Sequence, residues 1–309
     1  MSGNKHRPIT VTPHYHQLGT YTHPVYLSMG DDGMLIEGGT GAATPIIVDQ
    51  IRELGIDPER IKYIALTHTH GDHIGSVLHL QKLWPHLKLV ASQTAARLLK
   101  EEALVKDYQH VDRKIAEIMV SKGDCTDMPP VLESYSFNVD RVVKEGDKLD
   151  LGSGISWTVY ETPGHSPCHV SYYEQKEETL DMGDITGFYV PTQDVFWPNY
   201  LDSLENYCNS IRKLSALPAR RAALSHHGVI NGVTKDYFRK AIKSTEAYHR
   251  NIMERLGKGD DPKQMAVDTA NWVSTLTDRQ PYELMVSVAR ILIKRSQAVA
   301  GKDGLFNLP

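Results

Sequence analysis

Thr67-His68-Thr69-His70-Gly71-Asp72-His73 packs three imidazoles and one carboxylate into six residues, directly after an apolar run at 62–67 that reads as a buried strand. In an extended chain His68 and His70 point to the same face, and a turn at Gly71 brings Asp72 and His73 round to the same end. Imidazole nitrogen and carboxylate oxygen are donors that zinc, iron and manganese all accept. A mixed set of this kind favours an open catalytic site over a closed thiolate one. One histidine in a polar turn would say little, whereas four donors at this density point to a metal.

Working outward, short strands at 25–28 and 34–36 flank the turn Gly30-Asp31-Asp32-Gly33. Helical patterns at 45–54 and 74–84 then alternate with strands at 62–67 and 87–91, which argues for an α/β layered domain. The stretch 94–130 turns helical, charged and then broken, and reads as an insertion. Strands return at 142–143, 148–151, 156–161 and 170–174, followed by an amphipathic helix over 202–215 and an extended run at 221–225. Beyond Gly232 the pattern is helical, with one apolar stripe from Phe238 to Leu256 and another from Leu284 to Leu292. The expected organisation is a catalytic domain at 1–232 carrying the 94–130 insertion, with a helical cap at 233–309.

Three more strand ends supply donors: Glu161-Thr162-Pro163-Gly164-His165, Leu180-Asp181-Met182-Gly183-Asp184 and Leu224-Ser225-His226-His227-Gly228. In order, type and interval this series resembles the metallo-β-lactamase superfamily, whose motifs are a His-x-His-x-Asp-His run, a later histidine, an aspartate and a last histidine. The likeness spans about residues 20 to 232. It implies an αββα metallo-β-lactamase-like sandwich with a C-terminal helical extension, and a site for two divalent ions (zinc, iron or manganese). His68, His70 and His165 would hold the first ion, Asp72, His73 and His227 the second, with Asp184 bridging. His227 is preferred to His226 because the family's final histidine commonly precedes glycine. His226, His169 and Glu37 are then supporting residues; Glu37 either steadies a metal-bound histidine or ends a strand.

Two adjacent ions lower the pKa of a shared water, so that hydroxide is available near neutral pH, and polarise a carbonyl or phosphoryl oxygen, which makes hydrolysis the expected reaction. Asp72 is also the candidate to take a proton during turnover. The motif style and the helical tail resemble glyoxalase II and the 2-aminobenzoylacetyl-CoA thioesterase, which implies a thioester or lactone substrate. A phosphodiesterase or nuclease of the same fold is the alternative, as is an iron-dependent redox or regulatory member. Phe188, Tyr189, Phe196, Trp197 and Tyr200 lie on an expected loop near the metals and either wall the substrate pocket or pack on the tail helices.

Composition narrows the classes further. The chain of 309 residues is 40% apolar and 23% charged, enough to bury a large core, and no apolar run approaches the roughly 20 residues of a membrane span. The polar start lacks the apolar core of a secretory signal, so a cytoplasmic location is expected, and three irregularly spaced cysteines suit reduced thiols. Net charge is −4, but 233–309 carries 13 basic and 9 acidic residues, leaving an acidic body. That balance argues against a nucleic-acid partner and suits a small, anionic acyl thioester; no membrane partner is expected. Apolar faces on the tail suit packing either on the core or on a second copy in a homodimer.

Overall fold

Two β-sheets pack face to face, and each carries a second apolar face that helices cover. The computed structural model describes residues 6–232 and 234–307; Met1–Lys5 at the polar start, Val233 at the expected domain boundary, and Leu308–Pro309 lie outside them. The first sheet opens as an antiparallel meander of β1 (Ile9–Thr12), β2 (Tyr15–Gly19), β3 (Pro24–Met29) and β4 (Gly33–Ile36). It continues in parallel through β5 (Ile61–Ala65), β6 (Lys88–Ser92) and β7 (Arg141–Val143), in the order β1 to β7. The connections carry α1 (Thr44–Glu53), α2 (Gly71–Ile74), α3 (Val77–Leu83), α4 (Gln93–Leu98) and α5 (Glu102–Ser121).

The second sheet begins with β8 (Lys148–Gly152), β9 (Ile155–Glu161), β10 (Val170–Glu174) and β11 (Thr179–Asp181), followed by the separate hairpin β12 (Phe188–Val190) and β13 (Val195–Trp197). After α6 (Leu204–Ser215) it is completed by β14 (Arg221–Ala223) and β15 (Val229–Asn231), in the order β15-β14-β11-β10-β9-β8. Three tail helices follow: α7 (Thr234–Gly257), α8 (Pro262–Leu276) and α9 (Tyr282–Ala298).

Three apolar layers hold this together. Tyr26, Met34 and Ile36 of the first sheet meet Trp157, Val159 and Tyr172 of the second. Ile47, Ile51, Leu80 and Ile115 close the outer face of the first sheet under α1, α3 and α5. Strand β8 shows the cause in its alternation, with Leu149 and Leu151 inward and Lys148 and Asp150 outward. The result is the αββα sandwich expected from the motif order, with no described helix long and apolar enough to cross a membrane. Cys125, Cys168 and Cys208 are all buried and free.

Several elements differ from the sequence reading. The helix expected over 74–84 is broken, because the Ser76 amide donates to Gly38 O (3.1 Å) instead of continuing the α2 ladder. The segment carrying Phe188 to Trp197 is a β-hairpin rather than a loop. Helix α8 was not foreseen, although Asp261-Pro262 opens it with a side-chain cap to Lys263 N (3.1 Å) and a proline in the first turn.

The tail shares its core with the second sheet. Phe238, Ile242, Val273 and Leu292 are buried in the same cluster as Leu180, Tyr207, Ile211 and Trp197. Full burial of a side chain such as Phe238 contributes roughly 1.5–3 kcal/mol, so several such groups are comparable with the whole stability of a domain. Truncation after Gly232 is therefore expected to abolish cooperative thermal unfolding, followed by circular dichroism; a truncated chain melting like the full one would contradict the shared core.

Candidate metal centre

Every candidate donor sits at a strand end or in the turn after it, on one rim of the sandwich. After β5 the chain runs extended through His68 and His70 and starts α2 at Gly71, where a Cβ would lie 2.2 Å from Tyr108 O of α5. Only glycine allows α5 to approach this closely. His165 follows Gly164, whose φ of 132° and whose would-be Cβ, 2.2 Å from Tyr207 N, impose the same requirement.

Hydrogen bonds fix which ring nitrogens are left over. His165 Nδ1 donates to Asn199 O (2.8 Å), and His68 Nδ1 donates to Thr67 Oγ1 (2.9 Å), whose hydroxyl in turn donates to Glu37. Both Nε2 atoms therefore present lone pairs, and both lie 3.0 Å from His70 Nδ1. One ring proton cannot satisfy three converging nitrogens. Burial pushes His70 down to about 3, and burial with the neighbouring imidazoles holds His68 well below its ordinary value, so these rings are neutral.

The other half of the cluster is ionised. His73 Nδ1 donates to Glu37 Oε2 (2.9 Å), leaving Nε2 buried without a hydrogen-bond partner, 3.5 Å from Asp184 Oδ2 and 3.4 Å from Asp72 Oδ1. Asp184 Oδ2 is also 3.5 Å from the Nε2 atoms of His165 and His226, and Asp184 Oδ1 is a second orphaned atom. Burial alone would lower His73, but the carboxylates of Asp72, Glu37 and Asp184 raise it well above its usual value. Burial would raise Asp184, yet His226 and His73 hold it well below the carboxylate range. Neutral nitrogens on one side, carboxylates on the other and orphaned polar atoms between them fit divalent cations. Three-donor groups close enough for one ion are His68, His70 and His165, and likewise His73, Asp184 and His226.

The last histidine corrects the sequence reading. His226, not His227, enters the cluster: its Nδ1 donates to Thr22 O (2.8 Å), and its Nε2 lies 3.7 Å from Asp72 Oδ2. His227 adopts φ 66°, and its Nδ1 donates to Tyr189 O (2.6 Å), which turns it toward a separate cavity lined by Tyr21 and Arg279. The glycine after His227 serves that left-handed turn at the end of β14.

The supporting residues have defined contacts. Glu37 accepts from His73, Thr67 and Ser225 Oγ (2.9 Å), tying together the ends of β4, β5 and β14 and holding φ 76° to do so. His169 Nδ1 donates to Thr162 Oγ1 (2.8 Å), and its Nε2 accepts from the Asp184 amide (3.0 Å), fixing the backbone at Asp184. His23 was not singled out in the sequence. It is buried, groups with Asp72 and His226, and is pushed down to about 3 by burial. Nothing in Tyr21-Thr22-His23-Pro24 marks it apart from the fold that brings it there.

Above the cluster opens a cavity of about 400 Å³. Of the five aromatics expected either to wall it or to pack on the tail helices, Phe188 and Trp197 line it. Tyr189 and Phe196 instead pack against Tyr237, because the hairpin alternation turns them toward the tail, and Tyr200, beyond the hairpin, shares a hydrogen bond with Ser296 (2.8 Å). The remaining walls come from the insertion and the tail, through Tyr108, Val111, Leu284 and Val288.

The sandwich and its rim of donors define the class of fold to which the chain belongs. A family model for the metallo-beta-lactamase superfamily matches residues 21–226, and the chain belongs to that superfamily. It is 26% identical over 201 residues to the metallo-beta-lactamase fold-containing protein ST1585 of Sulfurisphaera tokodaii, covering 63% of this chain and 71% of that protein. The crystal structure of ST1585 matches with a TM-score of 0.58 at 18% identity, over 93% of this chain and 99% of that one. A hydroxyacylglutathione hydrolase of Legionella pneumophila (strain Corby) is 28% identical over 144 residues, 47% of this chain and 39% of that protein. Diflavin flavoprotein A 1 of Synechocystis sp. is 26% identical over 181 residues, 58% of this chain, and the match spans only 26% of that longer protein.

Glu37→Gln keeps the shape but removes the charge that orients His73. Loss of such a supporting contact typically weakens metal affinity 10–100-fold. Competitive chelator titration should therefore show one class of bound metal weakened by that factor, and unchanged affinity would contradict the role given to Glu37.

Proposed function

We propose that the chain is a dinuclear metal-dependent hydrolase acting on a small carbonyl substrate, a thioester or a lactone. The observation that carries this reading is the convergence of partnerless nitrogen and carboxylate donors at the floor of a largely apolar cavity. Two divalent ions held there would supply an activated water near neutral pH and polarise the carbonyl. His68, His70 and His165 would hold one ion, Asp72, His73 and His226 the other, with Asp184 between them. Zinc, iron and manganese all suit this nitrogen and oxygen set.

The chain's own groups supply orientation and proton handling. Asp72 lines the cavity and is held below the ordinary carboxylate range: burial would raise it, but His73 and His226 outweigh burial. It stays ionised facing the cavity, as the carboxylate to which a role in taking a proton during turnover is assigned. Glu37 and His169 keep His73 and Asp184 in register, and the apolar walls exclude bulk water from the carbonyl. The likeness to a hydroxyacylglutathione hydrolase supports a thioester. A second reading, oxygen or redox chemistry at the same donors with iron, is supported by the likeness to a diflavin flavoprotein.

Metal-replete protein should release thiol from acyl thioesters or open lactones, with kcat/KM falling at least about a thousandfold in His70→Ala and Asp184→Asn, the scale lost with a catalytic group. Full activity in either variant would sink the assignment. Silence toward the whole panel, with oxygen uptake by the iron-loaded protein, would favour the second reading.

A further inference from the structure

The cavity above the donors is built from two parts that the sequence keeps far apart. Tyr108 and Val111 of α5 form one wall, and Leu284, Val288 and Ile291 of α9, spaced as one helical face, form the other, with Trp197 of the hairpin between them. Ion pairs tie the two parts together beside this channel. Lys122 Nζ reaches Asp278 (2.5 Å), and Arg279 Nε reaches Asp124 (2.6 Å).

Its charge is the informative feature. Among the described residues that line it there is no lysine or arginine, while Asp107, Asp72 and Asp184 are present. The basic excess of the tail therefore does not face the substrate. An anionic group entering the channel would lose hydration against apolar walls and pass Asp107, with no lysine or arginine to pair with, which is costly. The volume, about 400 Å³, lies at the small-molecule end of ligand sites.

We propose that the acyl group delivered to the metals is neutral and apolar, a medium-chain alkyl or aryl-alkyl chain gripped between α5 and α9. A polar thiol carrier, where the substrate is a thioester, stays outside the channel. This rests on the hydrolase reading only for what the chain is attached to; the channel's preference is a property of its walls. It narrows the anionic acyl thioester expected from the tail's net charge to one whose charge lies on the thiol carrier rather than on the acyl chain.

Binding of neutral primary amides, which present a carbonyl but resist hydrolysis, tests this directly. Calorimetric titration of metal-replete protein with butanamide, hexanamide and octanamide should show affinity rising by about fourfold per methylene, the factor for full burial. The ω-carboxylate analogue of octanamide should bind at least tenfold more weakly than octanamide itself. Val288→Trp, which fills the channel, should flatten the chain-length series. If that variant does not fold, Ile291→Asp at a position 37% exposed should weaken octanamide severalfold with an unchanged melting curve. Affinity independent of chain length, or an ω-carboxylate bound as tightly as octanamide, would overturn the proposal. Graded amide binding without any thioester or lactone turnover would end the hydrolase reading and leave this one standing, whereas turnover with flat binding would do the reverse.

Discussion

Three imidazole nitrogens brought within hydrogen-bonding range of one another, away from water, are unfavourable unless a cation or a shared proton sits between them. His68, His70 and His165 are held in that state, with His70 Nδ1 3.0 Å from both neighbours. The outer hydrogen bonds to Thr67 and Asn199 O keep the other ring nitrogens occupied. Beside them His73 Nε2 and Asp184 Oδ1 are buried without hydrogen-bond partners, and His73 Nε2 lies 3.5 Å from Asp184 Oδ2. A fold that buries such groups has spent stability on them, and that cost is offset when metal binds. Much of the remaining architecture serves this purpose. The glycines at 71 and 164 admit close backbone contacts, Glu37 is held at an unfavourable φ, and the amide of Asp184 is pinned by His169.

Much of this was legible in the sequence, for reasons that can be named. The Thr67–His73 run is dense enough to declare itself, and the alternation of strand and helix on either side fixes the layers. The donors at 165 and 184 each follow a strand whose end is marked by glycine, so local pattern alone places them on the rim. Two adjacent imidazoles look equivalent in one dimension, yet it is His226 rather than His227 that points into the cluster. A left-handed backbone at His227, read only in three dimensions, turns one ring inward and the other away. His23 could not be found at all, since its role depends on β3 lying beside β14's exit rather than on neighbours in the chain.

Charge and packing explain the other departures. Net charge on the tail is a sum over solvated faces, and the few residues that line the channel are apolar members of α9 rather than its lysines and arginines. The aromatic segment 188–200 divides because strands alternate: Phe188 and Trp197 pair across the hairpin and face the cavity, while Tyr189 and Phe196 pair on the opposite face and pack against Tyr237. The same alternation makes the tail part of the core and lets α9 line the cavity above the donors. The tail helices and the second sheet thus share a cluster around Trp197 and Tyr207, which couples the shape of the channel to the stability of that sheet.

The central claim is that this cluster holds two ions and that His226 completes the second. The most direct measurement is a crystal structure of metal-loaded protein with anomalous data collected on both sides of the metal's absorption edge. The account predicts two anomalous peaks flanking Asp184, one bounded by His68, His70 and His165 and the other by Asp72, His73 and His226. A single peak, no peak within this cluster, or coordination by His227 in place of His226 would contradict it.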